Sequence, residues 1–403
     1  MASREARPPP SQKKQSPPQG STTISALSDD LLREVFLRLP SLPSLVRAAL
    51  SCRAFLRAVR SSPAFRRRFG ELHPPPLLGI FLDIYGPAIP VFAPLRGHFD
   101  PDLAAAIRGA DFFLTCLPDG EDAASEWAIR ECRDGYVVLI SFNSNQMAVY
   151  NPLTRALDLL PQPPGEICED MYVEFHIVTS DEDPRLFRVL CVCHEEWGAQ
   201  VAVLSSDNRQ WEIFPWVDTK TGNDEYSTHD GTLLNGSIYW TQLNRVNGRV
   251  LNTATMQFSR IELPLHMEGQ GKCMAGETKD GKLCIMCAIQ LTLVLWIWRA
   301  GDDGVERWML DKTFLLSQAI TETARRSAVA SAPHYALKIV SIVDGFVYMS
   351  TYLDHSVPGW FLSFCLETAE LKKLCPILHD DASYPYVMSW PASLLLNKPS
   401  LSS

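Results

Sequence analysis

Few side chains in this sequence stand at spacings suited to chemistry, and each falls short in a definable way. Gly276 to Lys282 reads GETKDGK, most of a phosphate-binding loop, but Leu283 takes the place of the Ser or Thr that would hold magnesium. An apolar β-type run follows it, where a phosphate site needs the N-terminus of a helix, so the segment reads as a turn. Cys284 and Cys287 have the spacing of a zinc half-site. No second pair follows at knuckle distance, and residues three apart on a strand point to opposite faces. His194, Glu195 and Glu196 adjoin, yet nothing in the sequence pairs with them, and a solvated loop cluster is expected rather than an acid–base site. Nucleophile-elbow and zinc-helix motifs are absent, and the nine His show no ligand spacing. Arg66, Arg67 and Arg68 lack the interleaved aromatics that stack on bases; they read as a solvated helix end or a contact to an acidic neighbour. No catalytic residue, metal or cofactor is expected, and the chemistry must lie in binding.

The elements that would do the binding follow from composition. A chain of 403 residues with 46% hydrophobic and 10% aromatic side chains is long enough for two or three domains and too apolar for disorder throughout. Its net charge of −9 disfavours a protein that coats nucleic acid. That average conceals a division: residues 1–75 hold 13 Lys and Arg against 5 Asp and Glu, a net of +8, while residues 76–403 hold 24 against 41, a net of −17. The start, MASREARPPPSQKKQ, has no apolar run, and the longest apolar stretch, Cys284 to Trp298, is 15 residues, short of the roughly 20 that span a bilayer. No membrane contact is expected, and the cytosol or nucleus is. The 11 cysteines are odd in number and several sit inside apolar runs, which points to buried reduced thiols.

Residues 1–22 are Pro, Ser, Gln and charge without periodicity, the pattern of a disordered tail. Residues 23–72 are helical. Leu31, Leu32, Val35, Phe36 and Leu39 form one apolar stripe, with Ser28 as N-cap, Asp29 and Asp30 in the first turn, and Pro40 as terminator. Leu45, Val46, Ala49 and Leu50 make a second stripe; Cys52, Phe55, Leu56 and Val59 a third; Pro63 starts a last turn with Phe65 and Phe69. Some fifty residues in short helices cannot bury all of this among themselves. Either a partner or the chain's own C-terminal domain must cover the remainder, and periodicity alone does not choose.

The run from Leu27 to Phe65 resembles an F-box. The matches are Leu27, Asp29, Asp30, Leu31, Leu32, Val35, Leu39, Pro40, Leu45, Val46, Cys52 and Arg53, with Phe55 at the usual Trp position and Ser28 where Pro is usual. The resemblance implies docking to a Skp-type adaptor and through it to a cullin ubiquitin ligase. Its expected adaptor-binding residues are Leu27, Leu31, Leu32, Val35, Phe36, Leu39, Pro40, Leu45, Val46, Cys52 and Phe55.

Residues 76–397 repeat. A Gly-led strand recurs as DGYVVLI, NGSIYW, DGKLCIM and DGFVYMS, and apolar hairpins begin at Met147, Val201, Val250, Leu293 and Phe361, at intervals of 54, 49, 43 and 68 residues. Such units each make one four-stranded sheet and stack radially into a β-propeller. Counting an irregular unit from Leu77 to Thr115, six blades are expected, seven being the alternative, with the apolar stretch from Tyr386 to Leu396 closing the ring. The fold class is thus multidomain α+β: a small all-α module followed by a large all-β propeller. The DG-strands and NPLTR, residues 151–155, resemble the kelch-like domains that follow plant F-boxes. Together the two resemblances imply a non-catalytic substrate receptor of an SCF-type ubiquitin ligase. The alternative is a propeller scaffold without a ligase role. Trp197, Trp216, Tyr226, His229, His355 and Trp360, in inter-repeat loops, are the candidate residues for an unidentified target protein.

Overall fold

The Asp134–Gly135 and Asn235–Gly236 pairs are hairpin turns. Asp134 and Gly135 have φ of 51° and 77°, and Asn235 and Gly236 have 47° and 74°. Two successive positive φ values make the type I′ turn, whose twist matches that of paired strands. A different turn joins the third and fourth strands of the same two repeats. In NPLT the Asn151 side-chain oxygen accepts from the backbone N–H of Leu153 and Thr154, both at 3.1 Å. Asn252 does the same for Ala254 and Thr255 at 2.9 and 3.0 Å. In these two repeats, turn chemistry of both kinds alternates and folds the segment into four antiparallel strands.

The computed structural model describes residues 27–83, 90–95, 101–118, 127–141, 144–165, 172–180, 183, 185–195, 198–218, 231–241, 247–264, 272–301, 303–320, 336–343, 345–352, 359–377 and 382–395. The expected tail, residues 1–22, lies outside them. Four helices come first: α1 (Asp29–Phe36), α2 (Leu42–Ser51), α3 (Arg53–Arg60) and α4 (Pro63–Leu72). Ser28, Ser41 and Ser62 cap α1, α2 and α4, each accepting from a backbone N–H three residues on. Pro43 lies in the first turn of α2, where its missing N–H costs no intrahelical bond. The α4 segment is a ten-residue helix rather than a turn.

Next come β1 (Leu77–Asp83), β2 (Val91–Pro94) and helix α5 (Pro101–Gly109). Blade 2 is β3 (Trp127–Arg133), β4 (Tyr136–Ser141), β5 (Gln146–Asn151) and β6 (Ala156–Pro161). Blade 3 is β7 (Tyr172–Thr179), β8 (Phe187–His194), β9 (Gly198–Ser205) and β10 (Trp211–Ile213), with β11 (Val217–Asp218) also on β9. Blade 4 is β12 (Thr232–Leu234), β13 (Ser237–Trp240), β14 (Asn247–Asn252) and β15 (Gln257–Glu262). Blade 5 is β16 (Lys272–Glu277), β17 (Leu283–Ile289), β18 (Thr292–Ala300) and β19 (Glu306–Leu315). Blade 6 is β20 (Ala336–Val343), β21 (Phe346–Tyr352), β22 (Gly359–Cys365) and β23 (Leu371–Ile377). Finally β24 (Ala382–Val387) returns to pair antiparallel with β1, giving blade 1 the order β2-β1-β24. The fold is a six-bladed propeller closed by its last strand. The unit from Leu77 to Thr115 supplies two strands and a helix of blade 1, and the C-terminus supplies the third.

First strands of neighbouring blades lie together: β24 beside β3, β3 beside β7, β12 beside β16, β16 beside β20. The cores are sandwiches between blades. One joins Met147, Val149 and Ile177 across blades 2 and 3; another joins Met286, Leu295 and Met349 across blades 5 and 6. The GETKDGK segment is the end of β16 and the turn that leads into β17, and the long apolar stretch is β17 and β18. Among the described residues no helix is long and apolar enough to cross a membrane.

Two cysteine expectations meet different fates. Cys284 packs between blades 5 and 6 while Cys287 packs in a separate cluster with Leu263 and Trp296, so the two thiols diverge as the strand period requires. Yet Cys287 is not reduced: it is disulfide-bonded to Cys273, its direct cross-strand partner. Buried Cys284 is a free thiol, and the buried Cys191 and Cys193 sulfurs lie 3.8 Å apart on β8.

Candidate functional site

The helical module divides its expected docking residues between inside and outside. Leu32, Phe36 and Leu45 are 1%, 3% and 0% exposed and form the module's core with Ala49, Val59, Phe65 and Phe69. These three expected docking residues are therefore packed inside the isolated chain, since an apolar stripe of five positions is wider than the surface left open and its inner half faces the module's own core. Phe55, Leu39 and Val46 are half-buried against that core, and the Phe55 ring stands edge-on to Phe36 at 5.3 Å. Leu31 and Val35, at 54% and 40%, remain exposed one turn apart on α1, and Leu27, at 37%, is exposed just before the Ser28 cap of that helix, with Pro40 and Cys52 also exposed. The second helix adds exposed Leu50.

Polar contacts hold α1 in place behind these side chains. Arg33 donates through Nε to the Ala58 carbonyl at 2.9 Å, through NH2 to Ser61 Oγ at 2.9 Å, and through NH1 to Asp30 at 2.7 Å. Arg57 of α3 reaches Asp29 at 3.1 Å. Arg68 pairs with Glu71 at 2.7 Å, within the basic run that ends on α4. Such exposed pairs fix geometry more than they add stability.

On the propeller, the sequence-derived target residues do not converge. Trp197, Tyr226, His229 and His355 lie outside the described residues. Trp216 is exposed between β10 and β11 on blade 3, its ring against the Gly198 backbone, where a Cβ would come within 2.6 Å. Trp360 is the second residue of β22 on blade 6, half-buried, with Lys373 Nζ 2.8 Å from its ring centroid. Burial lowers the Lys373 pKa.

A buried polar cluster went unrecognised in the sequence. Glu174 and His176 sit two apart on β7, so both leave the same face, toward blade 4. Glu174 Oε2 accepts from Trp240 Nε1 at 2.9 Å and from Gly231 N at 2.8 Å, and lies 3.3 Å from His176 Nε2. His176 Nδ1 is 3.4 Å from Glu131 Oε2 of blade 2, an ion contact without hydrogen-bond alignment. His194, expected in a solvated loop, is 9% exposed at the end of β8 and belongs to this cluster. Its Nδ1 accepts from Arg249 at 3.1 Å, and its Nε2 faces Glu174 Oε1 at 3.8 Å.

Burial pulls the His176 pKa down, but Glu131 and Glu174 on either side outweigh it and raise it to about 9. Burial, aided by the Arg249 and His176 charges and opposed by Glu174, takes His194 to about 4. Glu174 is lowered: burial alone would raise it, and the imidazolium and hydrogen bonds prevail. One charged and one neutral imidazole thus share a carboxylate at the junction of three blades. The alternation in VEFHIV, two polar residues on one face of an apolar strand, is the signal that marks it. Among the described residues no group of three or more His, Cys, Asp or Glu has the arrangement of a metal site.

A propeller carrying a separate helical module with an exposed apolar row belongs to the class of protein-interaction modules. Residues 128–394 match the model of a family described as F-box protein AT5G49610-like, beta-propeller. The match spans more than half the chain, which therefore belongs to that family. No curated protein matches the sequence. Similar solved structures include the nidogen/laminin complex, at 11% identity and TM-score 0.39, over 76% of this chain and 96% of that one. A protein from Lactobacillus plantarum has 12% and 0.33 over 62% and 71%, and a functionally unknown protein from Desulfotomaculum acetoxidans has 12% and 0.35 over 68% and 78%. At those scores none bears on function.

Proposed function

We propose that this chain is the non-catalytic substrate-recognition subunit of an SCF-type ubiquitin ligase. The helical module docks a Skp-type adaptor and through it a cullin; the propeller holds a target protein. Its contribution to ubiquitin transfer is positional, since bringing a target lysine to the ligase-bound donor raises effective concentration without any catalytic group in this chain. The site of action is the cytoplasm, the nucleus or both. The observation that carries the reading is the exposure of Leu27, Leu31 and Val35 at and along α1, with Leu50 of α2 also bare, while Leu32, Phe36 and Leu45 are packed in the module's core. An amphipathic helix with a bare apolar row is suited to a groove on a partner.

The test is co-purification of the intact protein with a Skp-type adaptor, alone and with Leu31→Asp plus Val35→Asp. Capture by the wild type and its loss in the variant are expected. No capture, or equal capture, overturns the reading. That second outcome would favour a propeller scaffold without a ligase role, which draws on a separate observation: Leu394 of the C-terminus completes the helical core, so part of the module's apolar surface is covered by its own chain.

A further inference from the structure

The last strand closes the ring and then leaves it. Within β24, the Tyr384 hydroxyl donates to the Ile129 carbonyl and the Tyr386 hydroxyl to the Gly135 carbonyl, each at 2.9 Å, tying blade 1 to blade 2. Beyond Val387 the backbone turns to the helices. Met388 N donates to the Pro76 carbonyl at 3.0 Å, beside the point where α4 gives way to β1. The Trp390 ring stands edge-on to Phe69 of α4, centroids 6.0 Å apart. Arg60 of α3 grips the Ser393 carbonyl through Nε at 3.1 Å and NH2 at 2.8 Å. Leu394, 1% exposed, lies in the helical core with Leu32, Phe36 and Leu45.

A module of four short helices is too small to bury its own core, and two domains joined by one linker ordinarily move relative to one another. Here the segment that continues from the propeller's last strand, more than 300 residues after α4 in the chain, returns to the helices and supplies further apolar side chains through non-covalent contacts. The contact is apolar in character: Trp390 Nε1 is buried without an acceptor, so its ring and not its N–H is what the junction uses.

We propose that residues 388–395 are an orienting strap, which completes the core of the helical module and fixes the direction in which its Leu27, Leu31 and Val35 row faces relative to the propeller. The strap stands on its own contacts; only its consequence, a target held at a set distance from the ligase, rests on the docking function proposed above.

Hydrogen exchange and small-angle scattering of the full-length protein test it, on the wild type, Leu394→Asp and Trp390→Phe. In Leu394→Asp, amides of α1 to α4 exchange at least tenfold faster and the maximum dimension increases, while amides of β8 and β17 keep their protection. Trp390→Phe, which keeps a ring and removes the orphan donor, exchanges like the wild type. Helix amides accelerated less than tenfold, equal loss of protection in β8 and β17, or a Trp390→Phe protein that behaves like Leu394→Asp would each overturn the strap. Adaptor capture by the wild type is measured in parallel: its failure would sink the docking function and leave the exchange result standing.

Discussion

His176 on the first strand of blade 3 lies 3.4 Å from Glu131 on the first strand of blade 2 and 3.3 Å from Glu174 beside it, a buried imidazolium held between two carboxylates. Because its folded pKa, about 9, exceeds the ordinary 6.5, the stability it confers is fully present below pH 6.5 and is lost as pH rises through 9. His194 has the opposite sign. Its folded pKa of about 4 means that stability present above pH 6.5 is lost as pH falls toward 4. Glu174, also lowered, adds to the loss on the acid side. Stability should therefore peak near pH 6.5 and decline on both sides. Denaturant titrations between pH 4 and 9.5 measure this, and His176→Gln should remove the alkaline decline. That variant leaves Glu174 without its cation and should cost about 3 to 5 kcal/mol at pH 6.5. An unchanged alkaline limb in His176→Gln would assign the pH dependence to another group.

Two glycines with the same backbone conformation should respond differently to alanine. Gly304 has φ of 76° with open space where a Cβ would go; Gly135 has φ of 77° with Ser389 2.5 Å from that position. Gly304→Ala pays only the left-handed penalty, about 1 to 2 kcal/mol. Gly135→Ala must also displace Ser389, and with it the chain between β24 and Trp390, so its loss in thermal and denaturant unfolding should exceed that of Gly304→Ala. Equal losses would show that the junction yields without cost.

Those positive-φ turns are the part of the fold most legible in the sequence. Asp134–Gly135 and Asn235–Gly236 specify a hairpin from two residues, and the Asn151 and Asn252 turns do so from four, so the strand pairing of blades 2 and 4 follows from local chemistry, whereas the closure of blade 1 by β24 does not. What was not legible depends on partners distant in sequence. Leu31 and Leu32 are adjacent in one helical stripe, and only the packing of α1 on Phe65 and Leu394 decides which one is buried. Glu131 and His176 are 45 residues apart on separate blades, and their pairing exists only once the blades have stacked. Cys273 and Cys287 face one another only because the β16–β17 register sets them opposite.

That register gives a third prediction. Non-reducing proteolysis of the denatured, alkylated protein should yield a peptide linking Cys273 to Cys287. The bond closes a loop with a sequence separation of 14, so its reduction should lower unfolding free energy by about 3 kcal/mol on the chain-entropy model. Cys273→Ser should be insensitive to reductant, whereas Cys284→Ser, whose thiol is free, should respond as the wild type does. Recovery of both cysteines as alkylated single peptides would show the pair to be reduced.

The neighbouring leucines of α1 provide the sharpest separation of folding from docking. Leu32 is 1% exposed within the helical core, and its truncation to alanine should destabilise the protein by about 2 to 5 kcal/mol, the range for a buried leucine whose site collapses incompletely. Leu31 is 54% exposed, so Leu31→Ala should leave stability within about 0.5 kcal/mol of the wild type. If the exposed row is the docking surface, the order reverses for adaptor capture. Leu31 would bury its side chain only on association, and its loss should weaken binding by about 1.5 to 3 kcal/mol, roughly tenfold to a hundredfold in dissociation constant. Leu32→Ala, assayed at a temperature where it remains folded, should bind nearly as the wild type does. Chemical denaturation and titration calorimetry on the same two variants read both quantities. Equal effects on binding would mean that the partner contacts the module elsewhere, and loss of stability in Leu31→Ala would mean that its side chain is already covered within the chain.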